Sequence, residues 1–471
     1  MKVLLINPPT DTVIASEVPG HVTQEVGSFP PLGLMYLAGA LRADGKHEPV
    51  LLDLAVGQIS PQQLAPHLTR IAPDLVGITA ITHNLVGVRR VAQAVKDHNP
   101  QLPVCIGGPH VNAFGAQALS LPCFDYALSG EGETTLGLFL DALTGSAPME
   151  TVPGIHYRKD GVVTSGASAR YEEHLDSLPF PARDLVRGSD YFYVLGKKAT
   201  FATIIASRGC PFQCTFCSTP HGGYRTRSPD NIVDEVEECL ATGAQEIHFV
   251  DDTFNLGKRR LADISEALIR RNIKCRWAFR GRADGVDDEG MQLAAQAGCI
   301  RIHLGVETGT DEGLVRLKKG VTLHQMERAV RLAARYGIVS AAYFILGCPH
   351  ERTVTDVERT IRFAIRLDPD FAMFNLLAIY PNTSLCIEAV EKGLVAPDLW
   401  SEFIADPNPD FAIPLWEEHL DRQTLQDLLK QSYRRFYLRP RPIWRNLKNL
   451  SSISELRRKV HAGLSILLGR S

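Results

Sequence analysis

Cys210, Cys214 and Cys217 stand at spacings of four and three residues in the short loop Cys210-Pro-Phe-Gln-Cys214-Thr-Phe-Cys217. They follow the branched apolar run 201–207, which reads as a buried strand, and the turn pair Arg208-Gly209. Thiolates are soft ligands, and three on one loop at a strand end can converge on an iron–sulfur cluster or on zinc. Three local ligands leave a four-iron cluster with one iron free of protein, an open position for a substrate or cofactor. A structural zinc site asks for a fourth Cys or His at short spacing, and His221 stands four residues beyond Cys217. Cysteines that only pack are expected at scattered positions, as Cys239, Cys275, Cys299 and Cys386 are.

A loop of this kind needs a rigid frame, and the flanking sequence provides one. Between residues 196 and 400, strands and helices alternate. Strands are expected at 201–207, 246–250, 275–280, 301–306, 340–346 and 371–378, with helices at 229–243, 257–272, 287–298, 322–337 and 353–367. Six such units make a partial (β/α)6 TIM-like barrel, whose chemistry sits at the carboxyl ends of the strands. Those ends are Asp251-Asp252-Thr253-Phe254, Arg280-Gly281-Arg282, Gly305-Val306-Glu307-Thr308-Gly309 and Leu346-Gly347-Cys348-Pro349-His350-Glu351. Asp251 and Asp252 are equally placed to cap the next helix, and Arg280 to pair with either. Cys348 differs from the packing cysteines because its strand end faces the same mouth.

Residues 1–143 carry five apolar runs, at 3–7, 49–54, 75–82, 103–107 and 126–130, with helical stretches between them. Continuous branched runs of this type predict a doubly wound, Rossmann-like parallel sheet that binds its ligand beyond the carboxyl strand ends. There the sequence places Asn7-Pro8-Pro9-Thr10, Asp53, Thr79-Ala80-Ile81-Thr82, Gly107-Gly108-Pro109-His110 and Gly130-Glu131-Gly132-Glu133. No G-x-G-x-x-G follows the first strand, which argues against a dinucleotide; turn glycines alone also suit a plain flavodoxin-like domain. Residues 144–195 lose periodicity, punctuated by Pro148, Pro153, Gly154, Gly161, Gly166, Pro179 and Pro181, and read as a linker holding a small hairpin.

The pattern CxxxCxxC, with Phe216 before its last cysteine, resembles the signature of the radical SAM enzymes. The resemblance implies a [4Fe–4S] cluster on Cys210, Cys214 and Cys217, with S-adenosylmethionine (SAM) on the open iron. It implies SAM contacts at Phe216, Asp251, Arg280, Glu307, Leu346 and Gly347. The first 143 residues resemble the cobalamin-binding domain that precedes many radical SAM barrels. Implied cobalamin contacts are Pro8, Pro9, Asp53, Thr79, Thr82, Gly107, Gly108, Pro109, His110, Gly130, Glu131 and Gly132. One departure stands out: domains that ligate cobalt through histidine carry Asp-x-His-x-x-Gly, whereas this chain reads Asp53-Leu-Ala-Val-Gly57. The family implies methyl transfer to an unactivated carbon of a small or hydrophobic metabolite, or oxidative cyclisation of the kind run by the anaerobic Mg-protoporphyrin monomethyl ester cyclase, or rearrangement. It also implies an external electron donor, flavodoxin or ferredoxin. A cofactor-binding sensor or assembly protein that cleaves no SAM is a further class consistent with the motifs.

The chain has 471 residues, 45% hydrophobic and 22% charged, with a net charge of −3 and ten cysteines. That composition is ordinary for a globular protein. Ten cysteines without an export signal suit a reducing, cytoplasmic compartment, and no stretch has the length of a membrane-spanning helix. The helical extension 401–471 ends in a basic segment: residues 431–471 hold ten Lys/Arg against Glu455, with Ile453, Leu456, Val460, Leu464 and Leu467 at helical spacing. Such a segment lies on an anionic membrane surface, packs across the barrel mouth, or binds nucleic acid; the lack of an appended RNA-binding domain argues against the last.

Overall fold

The computed structural model describes residues 1–14, 27–189, 191–193, 200–219 and 223–448. His221 and the amphipathic segment 453–467 lie outside the described residues. The chain divides into two compact units: Met1–Ala15, Ser28–Tyr191 and Ala396–Ala412 form one, and Ser16–Gly27, Phe192–Val395 and Ile413–Ser471 the other.

The first unit is built on β1 Lys2–Asn7, β2 Glu48–Asp53, β3 Leu75–Thr79, β4 Val104–Gly107 and β5 Tyr126–Leu128. The hairpin β6 Ile155–Lys159 and β7 Val162–Ser165 completes its sheet. The strand order is β2-β1-β3-β4-β5-β6-β7, parallel through β5 and antiparallel beyond it. Val3 to Ile6 are all buried, because helices cover both faces of a doubly wound sheet. The order reverses between β1 and β3, which is where such sheets open a ligand crevice.

Two boundaries differ from those expected. The hairpin anticipated within 144–195 is present, but its first strand hydrogen-bonds to β5, so this stretch belongs to the sheet instead of hanging free. The turn is Asp160-Gly161, both at positive φ, which closes a two-residue hairpin with the right twist. At the other end, Ala396–Ala412 joins the first unit, where Phe411 packs on Trp400 and Phe403 and Arg89 reaches Asp406 at 2.7 Å.

The second unit contains six parallel strands in chain order: β8 Phe201–Ile204, β9 Glu246–Phe249, β10 Arg276–Gly281, β11 Cys299–Glu307, β12 Val339–Leu346 and β13 Phe371–Leu376. Helices Pro229–Ala241, Arg260–Arg270, Asp288–Gln296, Leu323–Arg335 and Val354–Leu367 alternate with them. Four of these five start on a side-chain cap: Ser228, Asp287, Thr322 and Thr353 each accept from a backbone N–H of the first turn. Phe249, Phe254, Trp277, Phe279, Phe344 and Phe374 fill the layer between strands and helices.

A partial barrel leaves an edge, and the helix Arg422–Tyr437 covers the last one. Tyr433 Oη accepts from Phe374 N (3.2 Å) and donates to Phe374 O (3.0 Å); Tyr437 Oη does the same with Ala372 (3.1 and 2.8 Å). Each hydroxyl thus satisfies a donor and an acceptor of β13 that a neighbouring strand would otherwise take. Tyr433→Phe is expected to leave a buried N–H and C=O unpaired, costing about 1–3 kcal/mol; thermal denaturation should show the loss without a change in cofactor content. Among the described residues no helix is long and apolar enough to cross a membrane.

Candidate functional site

The segment leaving β8 is fixed from several sides before it reaches the first thiol. Buried Asp251 accepts from Ser207 Oγ at 2.5 Å and from Ala206 N at 3.2 Å. Arg260 donates to Ala206 O at 2.9 Å and to Arg227 O at 2.8 Å. Arg227, paired with the buried Glu235, donates to Ile205 O at 3.0 Å. Beyond this platform Thr215 holds the middle of the cysteine loop, its N–H on Leu317 O (3.1 Å) and its carbonyl accepting from Leu385 N (3.0 Å). Cys217 N donates to Cys214 O at 3.1 Å, folding the two thiols onto one turn. Cys210 Sγ lies 3.6 Å from Thr253 Oγ1.

All three cysteines are free and half-buried. Burial pushes the Cys214 thiol up, while Lys319 and Arg282 draw it back toward the thiolate. Both cations come from other loops. Lys319 Nζ pairs with Glu307 Oε1 at 2.6 Å and sits 6.0 Å from the Phe216 ring. Arg282 stacks on Phe212 at 3.4 Å and is held by Asp284 through two 3.0 Å hydrogen bonds. Three free cysteines on one loop, with two cations acting on Cys214, have the chemistry of a donor set for an anionic iron–sulfur cluster.

The wall opposite is the end of β11. Glu307 has φ +67°, a left-handed conformation that a non-glycine residue adopts at a cost of about 1–3 kcal/mol and that gathers at functional sites. The bulge between Gly305 and Glu307 turns its carboxylate back over the strand. A Cβ at Gly305 would come within 2.4 Å of Glu307 Oε1 and 2.8 Å of Lys319 Nζ, so only glycine admits the pair there. Next to it, Thr308 Oγ1 contacts His350 Nε2 (2.9 Å) and Thr360 Oγ1 (3.2 Å). Thr360 donates to Glu351 Oε1 at 2.6 Å, and Glu351 Oε2 accepts from Gly347 N and Cys348 N at 2.7 and 3.0 Å. This chain of bonds locks the exits of β11 and β12 together.

Burial raises Glu351 to about 7 and Asp251 to about 6. A carboxyl raised in the folded state favours folding fully below its unfolded pKa and loses that contribution as pH rises through the folded value. For Glu351 the window runs from the ordinary 4.5 to about 7. Melting scans between pH 5 and 8 should therefore fall less steeply in Glu351→Gln than in the wild type.

The structure redistributes several expected SAM contacts. Phe216 belongs to the cysteine loop, Glu307 is linked to it through Lys319, and Gly347 stands at the β12 exit with φ +77°. Asp251 lies beneath the loop with both oxygens engaged. Leu346 packs its side chain into the core and gives its carbonyl to Leu377 N at 2.9 Å. Arg280 lines the barrel interior next to His303. Cys348 is buried, its thiol on Ile345 O at 3.6 Å. Sequence reasoning overlooked Lys319, which follows a short helix and carries no local motif, and passed over Arg282 in favour of Arg280.

In the first unit the expected cobalamin contacts fall into two groups. Pro8, Pro9, Thr79, Thr82, Gly107, Gly108 and Pro109 ring the ends of β1, β3 and β4. Gly108, at φ +103°, passes so close to Ala80 O that a Cβ would lie at 3.1 Å. Within this crevice Thr12 Oγ1 and Asn84 Oδ1 are buried without a hydrogen-bond partner, and exposed Ile81 lies beside them. Unspent polar atoms, an exposed apolar side chain and small residues suit a large ligand of mixed polarity, as cobalamin is. The second group is already engaged. Asp53 caps its helix through Ala55 N and accepts from Asn7 and Tyr191, and Glu131 accepts from Glu172 N. Gly130 and Gly132 allow close packing on Ala169 and Leu37. His110 is 0% exposed and held near pKa 4 by burial, so its ring is neutral; Nδ1 lies 3.2 Å from Thr82 Oγ1, while Nε2 is buried without a hydrogen-bond partner, as Thr12 Oγ1 and Asn84 Oδ1 are.

Residues 204–364 match the radical SAM superfamily and residues 22–140 the B12 binding domain. An uncharacterized methyltransferase of Pyrococcus horikoshii is 31% identical over 453 residues, 95% of each chain. The anaerobic magnesium-protoporphyrin IX monomethyl ester cyclase of Rubrivivax gelatinosus is 29% identical over 426 residues, 88% of this chain and 74% of its own. Among solved structures, the cobalamin-dependent S-adenosylmethionine radical enzyme OxsB superposes with a TM-score of 0.75 at 19% identity, covering 99% of this chain and 72% of that one. The chain belongs to the cobalamin-binding radical SAM enzymes, whose cofactors are a [4Fe–4S] cluster, S-adenosylmethionine and cobalamin.

Proposed function

We propose that this enzyme transfers a methyl group to an unactivated carbon of a small or hydrophobic metabolite. The observation that carries this reading is the likeness to the Pyrococcus horikoshii methyltransferase, which runs through both units at 95% coverage of each chain. Cys210, Cys214 and Cys217 would hold the cluster, Phe216, Glu307 and Gly347 would border SAM, and the ring from Pro8 to Pro109 would border cobalamin. When bound, these groups supply electron transfer and methyl-carrying chemistry that no side chain possesses. The chain's own work is to position and to enclose. Glu307, an acceptor fixed by Lys319, suits the amino group or ribose of SAM, and Arg282 with Lys319 offsets negative charge at the thiolates. An external flavodoxin or ferredoxin would supply the electron, and the basic tail would give peripheral contact with an anionic membrane.

Methyl transfer consumes SAM in two ways, so S-adenosylhomocysteine should form alongside 5′-deoxyadenosine and a substrate 14 Da heavier per methyl group, a mass that follows from replacing hydrogen by methyl. Formation of 5′-deoxyadenosine alone, with substrate losing hydrogen, would instead support the second reading. That reading, an oxidative cyclase, is favoured by the 426-residue likeness to the Rubrivivax gelatinosus enzyme.

A further inference from the structure

The inner face of the barrel is polar. Side chains alternate along each strand, and Ile247 and Phe249, Trp277 and Phe279, Ile302 and Leu304, Ala342 and Phe344 face the helices. Glu246 and His248, Ala278 and Arg280, Arg301 and His303, Ala341 and Tyr343 therefore line the interior. At the amino-terminal end the charges are in mutual contact, one carboxylate against two guanidiniums: Glu246 lies 2.7 Å from His248 and 3.5 Å from both Arg276 and Arg301.

Nearer the mouth the accounting is different. Register sets Arg280 of β10 beside His303 of β11. His303 Nδ1 lies 2.7 Å from Tyr343 Oη, and Nε2 lies 3.4 Å from Tyr193 Oη. Burial first, then Arg301 and Arg280, hold His303 well below its ordinary pKa, so the ring is neutral. A neutral imidazole has one N–H and one lone pair. One phenol must donate to it and the other accept from it, which leaves one phenolic proton not spent on the ring. Arg280 is exposed and forms no ion pair among the described residues. Its field acts on Asp252, His303 and Tyr343, whereas Lys319 and Arg282 are the cations that act on Cys214.

We propose that Arg280, His303 and Tyr343 form a recognition site for an oxyanion of the substrate, a carboxylate or a phosphate, inside the barrel. The assignment rests on the enzyme reading above and names the substrate class for it. A guanidinium fork beside a hydroxyl donor, with Asp252 in its field but no carboxylate ion-paired to it among the described residues, matches negatively charged oxygen. Arg280 then serves substrate instead of SAM; with His303 protonated on Nδ1 and Tyr193 donating to Nε2, the ring donates to Tyr343 Oη, fixes the phenol's orientation and leaves its proton to the same oxyanion.

Saturation-transfer NMR on the full, anaerobically reconstituted chain tests this with three probes: benzoate, phenyl phosphate and benzamide. Benzoate or phenyl phosphate should give a response that falls about tenfold in Arg280→Gln and in Tyr343→Phe, as expected for a lost charge-assisted hydrogen bond. The stronger anion tells carboxylate from phosphate, and benzamide should give none. Tyr343→Phe removes only the hydroxyl and keeps the ring's packing, and both variants should keep wild-type iron content and SAM binding. Loss of iron or SAM binding in the wild type would instead count against the enzyme reading. Equal anion responses in wild type and both variants, an equal response to benzamide, or no anion response in the wild type overturns the assignment.

Discussion

Cys210→Ala, Cys214→Ala and Cys217→Ala are each expected to remove the iron–sulfur absorption and to lower SAM cleavage by about a thousandfold or more, because this chemistry has no route without the cluster. The loop itself should survive these changes. Its anchors are backbone and buried ionic contacts outside the thiols: Asp251 on Ala206 and Ser207, Arg260 on Ala206 and Arg227, Thr215 on Leu317 and Leu385. Circular dichroism and melting of the cluster-free proteins should therefore remain close to those of the wild-type apoprotein. Cys239→Ala and Cys348→Ala serve as controls. Both thiols are buried in packing positions, so their loss should cost stability and leave iron content intact. Iron retained at wild-type stoichiometry in any of the three loop variants would contradict the assignment of that thiol.

The second large effect is expected at Glu307. Its side chain is 8% exposed and its partner Lys319 12%, so Glu307→Gln leaves a buried ammonium without its counter-charge. Breaking a buried pair from one side costs about 3–5 kcal/mol, most of it the uncompensated charge. The isosteric amide leaves shape unchanged, so the loss is electrostatic. SAM affinity should fall about 10- to 100-fold, as for the removal of a charged hydrogen-bond acceptor from a ligand. The double variant Glu307→Gln with Lys319→Met should recover much of the stability, since no buried charge remains, but not the SAM affinity. Equilibrium binding of SAM to the reconstituted protein, with melting temperatures alongside, separates the two terms. Full affinity in the double variant would show that Glu307 acts only through the fold.

Much of this arrangement was legible in the sequence because it is local. The cysteine loop, the six β/α units and the parallel sheet follow from spacing and periodicity, and each appears near its expected residues. What escaped was non-local. Lys319 reaches the thiols from a segment following the helix Asp311–Arg316, and nothing in the cysteine loop announces it. Asp251 reads as a strand-end carboxylate, yet its neighbours Ala206 and Ser207 come from a different strand exit and turn it into a support. Asp53 reads as a free strand-end carboxylate, yet Asn7, Ala55 and Tyr191 all donate to it, and His110 is fully buried; how far a strand-end side chain is covered depends on the elements packed above it, which periodicity does not register. Arg280 and Arg282, two residues apart, show the limit most clearly. One lines the barrel beside His303 and the other acts on Cys214, a division set by the turn at Gly281 and by Asn255, which accepts from Arg282 N at 2.8 Å and donates to Arg282 O at 2.9 Å.

The central claim is that the three thiols and the pocket around them drive SAM cleavage in a cobalamin-binding protein. The most direct measurement is product analysis after anaerobic reconstitution with iron, sulfide, cobalamin, SAM and a strong reductant. The account predicts 5′-deoxyadenosine from the wild type and none from the Cys214→Ala variant. A wild-type protein that binds cluster, SAM and cobalamin yet releases no 5′-deoxyadenosine would contradict it, and would leave a cofactor-binding sensor or assembly protein in its place.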